Sequence, residues 1–176
     1  MEINLGKKVI STEIKALNQL KKSISGDFSH AIEVLYKTKG KIIISGVGKS
    51  GHIATKISST FSSIGSPSVF LHPTEANHGD LGMIKKGDST ILISNSGETS
   101  ELTNIILHCQ KSKIPIIAIT SEKSSTLAKN ANIVLVIPKN VEACPLELAP
   151  TSSTTCTLVM GDALAVTLLT KREFTK

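Results

Sequence analysis

The chain has 176 residues, which is enough for one domain with a hydrophobic core and too short for two ordinary domains joined by a linker. Hydrophobic residues make up 40% of the chain and charged residues 19%, which argues against disorder, and an aromatic share of 3% requires an aliphatic core. The net charge of +6 suits an anionic ligand, but the lysines are scattered and Tyr36 is the only large ring besides phenylalanine, so we expect no nucleic-acid partner.

The termini and the cysteines indicate a soluble, cytoplasmic protein. We see no apolar run of the length that a membrane helix needs, and the N-terminus carries Lys7 and Lys8 instead of a signal core. Cys109, Cys144 and Cys156 are odd in number and lack zinc-ligand spacing, so we expect reduced thiols.

Two helices are predicted before the first strand, within residues 1–39. The first has apolar residues at steps of three and four, and Gly26 interrupts it; these residues are Ile10, Ile14, Leu17, Leu20 and Ile24. Asp27 is a predicted N-cap for the second helix, which ends at Gly40. The second helix carries Phe28, Ile32 and Leu35.

Five short apolar runs then alternate with helical segments, and they predict strands at 41–46, 67–71, 90–94, 115–120 and 133–137. Several runs are apolar at every position, which is typical of strands that helices cover on both faces. The fold class is therefore α/β, with a doubly wound, parallel, five-stranded sheet in a core over residues 40–170.

A last helix is predicted over about 152–170, after a loop from Pro138 to Pro150. Its apolar residues encircle the helix, which is typical of burial on all sides, so we expect part of it to pack on a second copy of the chain. Asp162 lies within this helix and is expected to be a buried structural residue.

The first strand runs into a glycine-rich turn, Gly46-Val47-Gly48-Lys49-Ser50-Gly51, which is a natural seat for an anion. A Walker P-loop is excluded, because the required first glycine is replaced by Ile43. A dinucleotide-binding GxGxxG motif and a purely structural turn remain open alternatives, although no acidic residue follows the second strand to hold a ribose.

A second anion-binding loop, Ser94-Asn95-Ser96-Gly97-Glu98-Thr99, follows the third strand and opens a helix. The carboxyl ends of parallel strands share one edge of the sheet, so both loops are expected to face one ligand.

With these motifs in place, the sequence resembles a SIS (sugar isomerase) domain of flavodoxin-like type, whose phosphosugar signature is the SxSGxT loop. Within that superfamily it resembles the D-arabinose 5-phosphate isomerases in five blocks that occur in the family's order. These blocks are Gly46 to Gly51, Glu75 to Gly82, Glu142 to Pro145, Leu148 to Thr155 and Gly161 to Ala165.

The resemblance implies an aldose-ketose isomerase that interconverts D-ribulose 5-phosphate and D-arabinose 5-phosphate and supplies synthesis of the eight-carbon acid KDO for lipopolysaccharide or capsule. It implies catalytic roles for Lys49, Glu101 and Glu142. Substrate binding is expected from Gly48, Ser50, His78, Ser94, Asn95, Ser96, Gly97 and Thr99. It also implies a homo-oligomer, most simply a tetramer.

These residue types suit proton transfer between C1 and C2, which needs a carboxylate base and a cation to stabilise an enediolate. Desolvation is expected to raise the pKa of Glu142 and tune it as the base. Glu101 is expected to shuttle protons or to position Lys49. We expect no cofactor and no metal, because His72 and His78 lack metal-ligand spacing.

Members of the resembled family usually carry a further catalytic histidine in a Ser-His-Pro-Gly segment after the last helix, and many add CBS domains. None of the five histidines here occupies that position. The alternative function is a non-catalytic sugar-phosphate or KDO-nucleotide sensor, and a hexulose phosphate isomerase is the nearest enzymatic rival.

Overall fold

The computed structural model describes residues 1–139 and 142–173, so positions 140 and 141 of the predicted loop lie outside the described residues. Its α-helices are α1 (Glu2–Ser23), α2 (Gly26–Lys37), α3 (Lys49–Ser63), α4 (Pro73–Asn77), α5 (Thr103–Ser112), α6 (Thr126–Asn130) and α7 (Ser152–Lys171). Its strands are β1 (Ile42–Gly46), β2 (Ser68–Phe70), β3 (Ser89–Ile93), β4 (Ile116–Thr120) and β5 (Ile133–Val136).

The five strands form one parallel sheet in the order β2-β1-β3-β4-β5. This order belongs to the flavodoxin-like class, and it reverses direction between β1 and β3, where ligands of such sheets bind. The predicted strands and the predicted fold class are confirmed.

Apolar cores lie on both faces of the sheet, as expected from strands without polar alternation. Ile42, Ile44, Ile91 and Ile93 point to the face covered by α1, α2, α3 and α7. The opposite face is packed by α4, α5 and α6 against alternate residues such as Ile43 and Leu92.

The N-terminal helices differ from the predictions in detail. On the predicted apolar face of α1, Leu20 is buried, whereas Ile10 and Ile14 are 61% and 52% exposed; Ala16 is also buried. The N-cap of α2 is Ser25, so the prediction of Asp27 was wrong; Asp27 lies in the first turn, where its charge favours the positive end of the helix dipole.

Helix α7 packs against α1, α2 and α3 and buries Cys156, Met160, Leu164 and Leu168. Among the described residues it is the one helix whose length and mean hydropathy, 1.3, would suit a membrane span, and such values are also those of a core helix. The expected burial of Asp162 was wrong, because its side chain is 39% exposed, although its carboxylate does accept a hydrogen bond, from Lys56 at 2.6 Å.

Candidate active site

A cavity of about 490 Å³ lies at the carboxyl ends of β1 and β3, where the sheet order reverses. The turn after β1, the loop after β3, the segment that begins at Glu142, and the first turns of α7 line it. Of the predicted site residues, seven line this cavity: Lys49, Ser50, Ser94, Asn95, Ser96, Thr99 and Glu142.

The loop after β3, Ser94–Thr99, is held in shape by its own hydroxyl groups. The Ser94 and Thr99 hydroxyls are 2.7 Å apart, and the Ser94 oxygen also accepts a 3.0 Å hydrogen bond from the Gly97 N–H. The Ser96 hydroxyl accepts from the Glu98 N–H at 3.2 Å. We call this segment the phosphate loop.

Several backbone N–H groups of the phosphate loop are unpaired. Within the part of the chain that the structure describes, the N–H groups of Asn95, Ser96 and Thr99 have no hydrogen-bond acceptor. Successive unpaired N–H groups beside hydroxyl groups form a concave anion-binding surface. The loop therefore has the donors that a phosphate monoester requires.

Gly97 fixes the turn of the phosphate loop. Its φ of +70° is a left-handed conformation, and a Cβ placed there would lie 2.0 Å from the Ser125 hydroxyl oxygen. Gly97 therefore shapes the loop without lining the cavity.

The turn after β1 places a second set of groups at the cavity. Gly48, with a φ of +59°, is the N-cap of α3 and has no side chain to satisfy the helix N–H groups. The first-turn residues Lys49 and Ser50 line the cavity. The positive end of the α3 dipole and the Lys49 ammonium both favour an anion here.

Glu142 faces the cavity while its carboxylate caps α7. Its Oε2 accepts hydrogen bonds from the Thr151 N–H at 2.7 Å, the Thr151 hydroxyl at 2.9 Å and the Ser153 N–H at 3.3 Å. Partial burial raises the pKa of Glu142, but the hydrogen bonds from Ser153 and Thr151 outweigh it, and the net pKa lies below its ordinary 4.5. The expected upward shift was wrong, because desolvation is only one of the opposing effects.

Besides Gly48 and Gly97, two more predicted residues lie outside the cavity lining. Glu101 is exposed in a 3-10 turn, Ser100–Leu102, and its carboxylate accepts a 3.1 Å hydrogen bond from the Ser100 hydroxyl. His78 is exposed at the C-terminus of α4. Their predicted roles rest on the family resemblance.

Other cavity residues were not predicted. Ser153, Thr154 and Thr157 line the cavity from α7, and Glu147, Leu148 and Pro150 line it from the preceding segment. The available signal was the run of hydroxyl residues at 151–155, which follows Glu142 closely and opens a helix. In the described residues, no group of three His, Cys, Asp or Glu side chains is arranged to hold a metal ion.

The SIS domain family model matches residues 34–167, which include the phosphate loop, Lys49 and Glu142. The chain belongs to the SIS domain family. It is 52% identical to arabinose 5-phosphate isomerase KdsD of Yersinia pestis over 97% of the chain. It is 49% identical to the enzyme of the same name from Francisella tularensis over 99% of the chain.

This SIS domain chain spans about half of those relatives, 52% and 54% of their lengths. A solved structure, the c3406 protein of E. coli CFT073 in complex with a sugar phosphate, matches with a TM-score of 0.95 and 44% identity over 99% of this chain and 93% of that one. The parallel α/β fold described above is therefore the SIS fold.

Proposed function

We propose that this chain is the isomerase domain of an enzyme that interconverts D-arabinose 5-phosphate and D-ribulose 5-phosphate. The observation that carries the proposal is one cavity lined by both the phosphate loop and Glu142. The identity to the Yersinia pestis isomerase, 52%, supports the reaction class, and the 44% identical E. coli protein with its bound sugar phosphate supports the ligand class.

Substrate binding begins at the phosphate. The open N–H groups and hydroxyls of Ser96 and Thr99, with Ser50 on the facing turn, donate to the phosphate oxygens. With the phosphate held there, the sugar extends along the cavity toward Glu142 and the first turns of α7. Binding of the phosphate by the phosphate loop fixes the position of the sugar along the cavity, so that C1 and C2 lie next to Glu142.

The chemical step moves one proton between carbons. Glu142 has a pKa below the ordinary 4.5 and is therefore an ionised carboxylate at neutral pH, which accepts the proton from C2 of the aldose. The electron pair of that C–H bond forms the C1–C2 double bond, and the negative charge develops on O1, where the Lys49 ammonium stabilises it. Glu142 then returns the proton to C1, and the O2 proton passes to O1, which leaves a carbonyl at C2.

Glu101 is proposed as the shuttle between O2 and O1 on the family resemblance alone. Its side chain is exposed and does not line the cavity within one chain. The roles of His78, Gly48 and Gly97 in substrate binding are proposals of the same kind.

The biological setting is proposed together with the reaction: a cytoplasmic homotetramer that supplies KDO synthesis for lipopolysaccharide or capsule. Exposed apolar side chains support self-association, since Ile10 and Ile14 of α1 and Val159 and Val166 of α7 are 61%, 52%, 39% and 55% exposed. Sedimentation at micromolar concentration tests the assembly, and a monomer would contradict it.

The reaction is tested by incubating the natural full-length protein with D-arabinose 5-phosphate and measuring D-ribulose 5-phosphate. A panel with D-ribose 5-phosphate and a 3-hexulose 6-phosphate separates pentose from hexose activity. We expect turnover of D-arabinose 5-phosphate above the others. Binding without turnover by the folded protein would favour the sensor alternative and contradict the proposal.

A further inference from the structure

A second cavity, of about 440 Å³, lies along one side of α1. Its lining consists of Lys8, Ser11, Thr12, Lys15, Ala16, Gln19 and Lys139. We call it the lysine groove. It shares no lining residue with the candidate active site, so it is a separate site.

The sequence of α1 places these groups together. Positions 8, 11, 12, 15 and 19 follow steps of three and four, so their side chains lie on one strip of the helix. Lys139, just beyond β5, completes the groove from the other side. The lining offers three ammonium groups, two hydroxyls and one side-chain amide, and it contains no carboxylate.

The charge of the groove is only partly neutralised. Lys139 pairs with Glu122 at 2.5 Å, and this contact, together with hydrogen bonds from Ser124, lowers the pKa of Glu122 to about 2. Lys8 and Lys15 make no ion pair with any residue that the structure describes. Two unpaired cations lie about 10 Å apart along the helix axis, seven residues at 1.5 Å each.

We propose that the lysine groove binds a small polyanion, such as a polyphosphate or a phosphorylated acid, at a site distinct from the phosphate loop. The cavity volume suits a small molecule. Two separated ammonium groups favour a ligand with more than one anionic group, and the Ser11 hydroxyl and Gln19 amide add neutral donors. This binding does not depend on the isomerase proposal.

The test is a titration of the protein with tripolyphosphate, followed through backbone amide chemical shifts. Tripolyphosphate has two places to bind, so the amides of residues 8–19 report the groove and those of residues 94–99 report the phosphate loop. The groove variant is Lys8→Gln/Lys15→Gln. The control variant is Lys7→Gln/Lys21→Gln, which removes the same charge from positions of α1 that do not line the groove.

We expect shifts at residues 8–19 in the wild type, with affinity at least about tenfold weaker in the groove variant and nearly unchanged in the control. Shifts at residues 94–99 should persist in both variants, which also shows that they fold. Absence of shifts at residues 8–19 in the wild type, or equal weakening in both variants, would overturn the proposal. Equal weakening in both variants would mean that tripolyphosphate is attracted by the net charge of the protein and not by the lysine groove.

Discussion

Two glutamates of this molecule accept hydrogen bonds from backbone N–H groups at the start of a helix. In the phosphate loop, Glu98 accepts a 2.8 Å hydrogen bond from the Thr126 N–H at the start of α6. After β5, Glu142 accepts from Thr151 and Ser153 at the start of α7. Both carboxylates have a pKa below the ordinary 4.5, because these hydrogen bonds outweigh the effect of burial.

The two glutamates differ in their position relative to the cavity. Glu98 is exposed and ties the phosphate loop to α6 from outside the cavity, whereas Glu142 lines the cavity. A cap on a helix is thus no evidence of catalysis, and the proximity of Glu142 to the ligand site distinguishes it. Glu98 is a natural control for experiments on Glu142.

The largest expected effect is on turnover in Glu142→Gln. The amide keeps the size of the side chain and removes the basic carboxylate, so kcat should fall about a hundredfold to ten-thousandfold. Steady-state kinetics measures the loss, with substrate affinity followed separately by titration.

The matched control is Glu98→Gln, which removes the other capping charge; because Glu98 holds the phosphate loop against α6, we expect KM to rise while kcat stays near normal. If both variants lose turnover equally, the effect comes from helix capping and the base is another residue. Near-normal turnover in Glu142→Gln would exclude Glu142 as the base.

The next effect concerns the phosphate loop. In Gly97→Ala, the new Cβ meets Ser125 at 2.0 Å and the residue must hold a φ of +70°. We expect the free energy of unfolding to fall by about 2 to 5 kcal/mol. Urea denaturation measures it, and Gly82→Ala, where nothing lies within 4 Å of the new Cβ, should differ by less than about 0.5 kcal/mol. Equal losses would show that the phosphate loop has no special packing.

A smaller effect separates binding from chemistry. Ser96→Ala removes one phosphate donor from the loop, so KM should rise about tenfold with kcat nearly unchanged. Initial-rate measurements over a range of substrate concentrations give both constants. A fall in kcat without a rise in KM would contradict a pure binding role for Ser96.

The smallest effect is a shift of the pH profile. Thr151→Val removes a hydroxyl that donates to Glu142, so the pKa of Glu142 should rise and the acid limb of kcat/KM should move to higher pH. Thr151→Ser keeps the hydroxyl and should keep the wild-type profile. An unchanged acid limb in Thr151→Val would mean that another group sets it.

The lowered pKa of Glu142 also makes the stability of the fold depend on pH. Because the pKa of Glu142 is lowered in the folded state, its contribution is present above the unfolded value of 4.5 and is lost as pH falls through the folded value. Thr151→Val should therefore show a weaker loss of stability on acidification, which thermal melts between pH 7 and pH 3 would measure.

The sequence predicts the sheet well and the surfaces of the helices less well. Buried parallel strands form continuous apolar runs, so the runs Ile42 to Ile44 and Ile91 to Ile93 can be recognised as strands from the sequence. Periodicity finds the apolar stripe of a helix but not the surface that covers it: Ile10 and Ile14 lie on the predicted apolar face of α1, yet both are exposed within one chain.

The site is predictable where it is local in sequence. The phosphate loop and the turn at Lys49 are contiguous motifs that follow strands, and the cavity unites them. Ser153 and Thr157 reach the cavity only through the packing of α7, and the pKa of Glu142 depends on hydrogen bonds that composition does not specify.

The central claim is that the phosphate loop and Glu142 act on one ligand, and a crystal structure of the Glu142→Gln protein with D-arabinose 5-phosphate tests it most directly. We expect the phosphate within hydrogen-bond distance of the Ser96 and Thr99 N–H groups. The side chain at position 142 should then lie about 3 to 3.5 Å from C2. A phosphate bound away from Ser94–Thr99, or a C2 atom out of reach of position 142, would contradict the account.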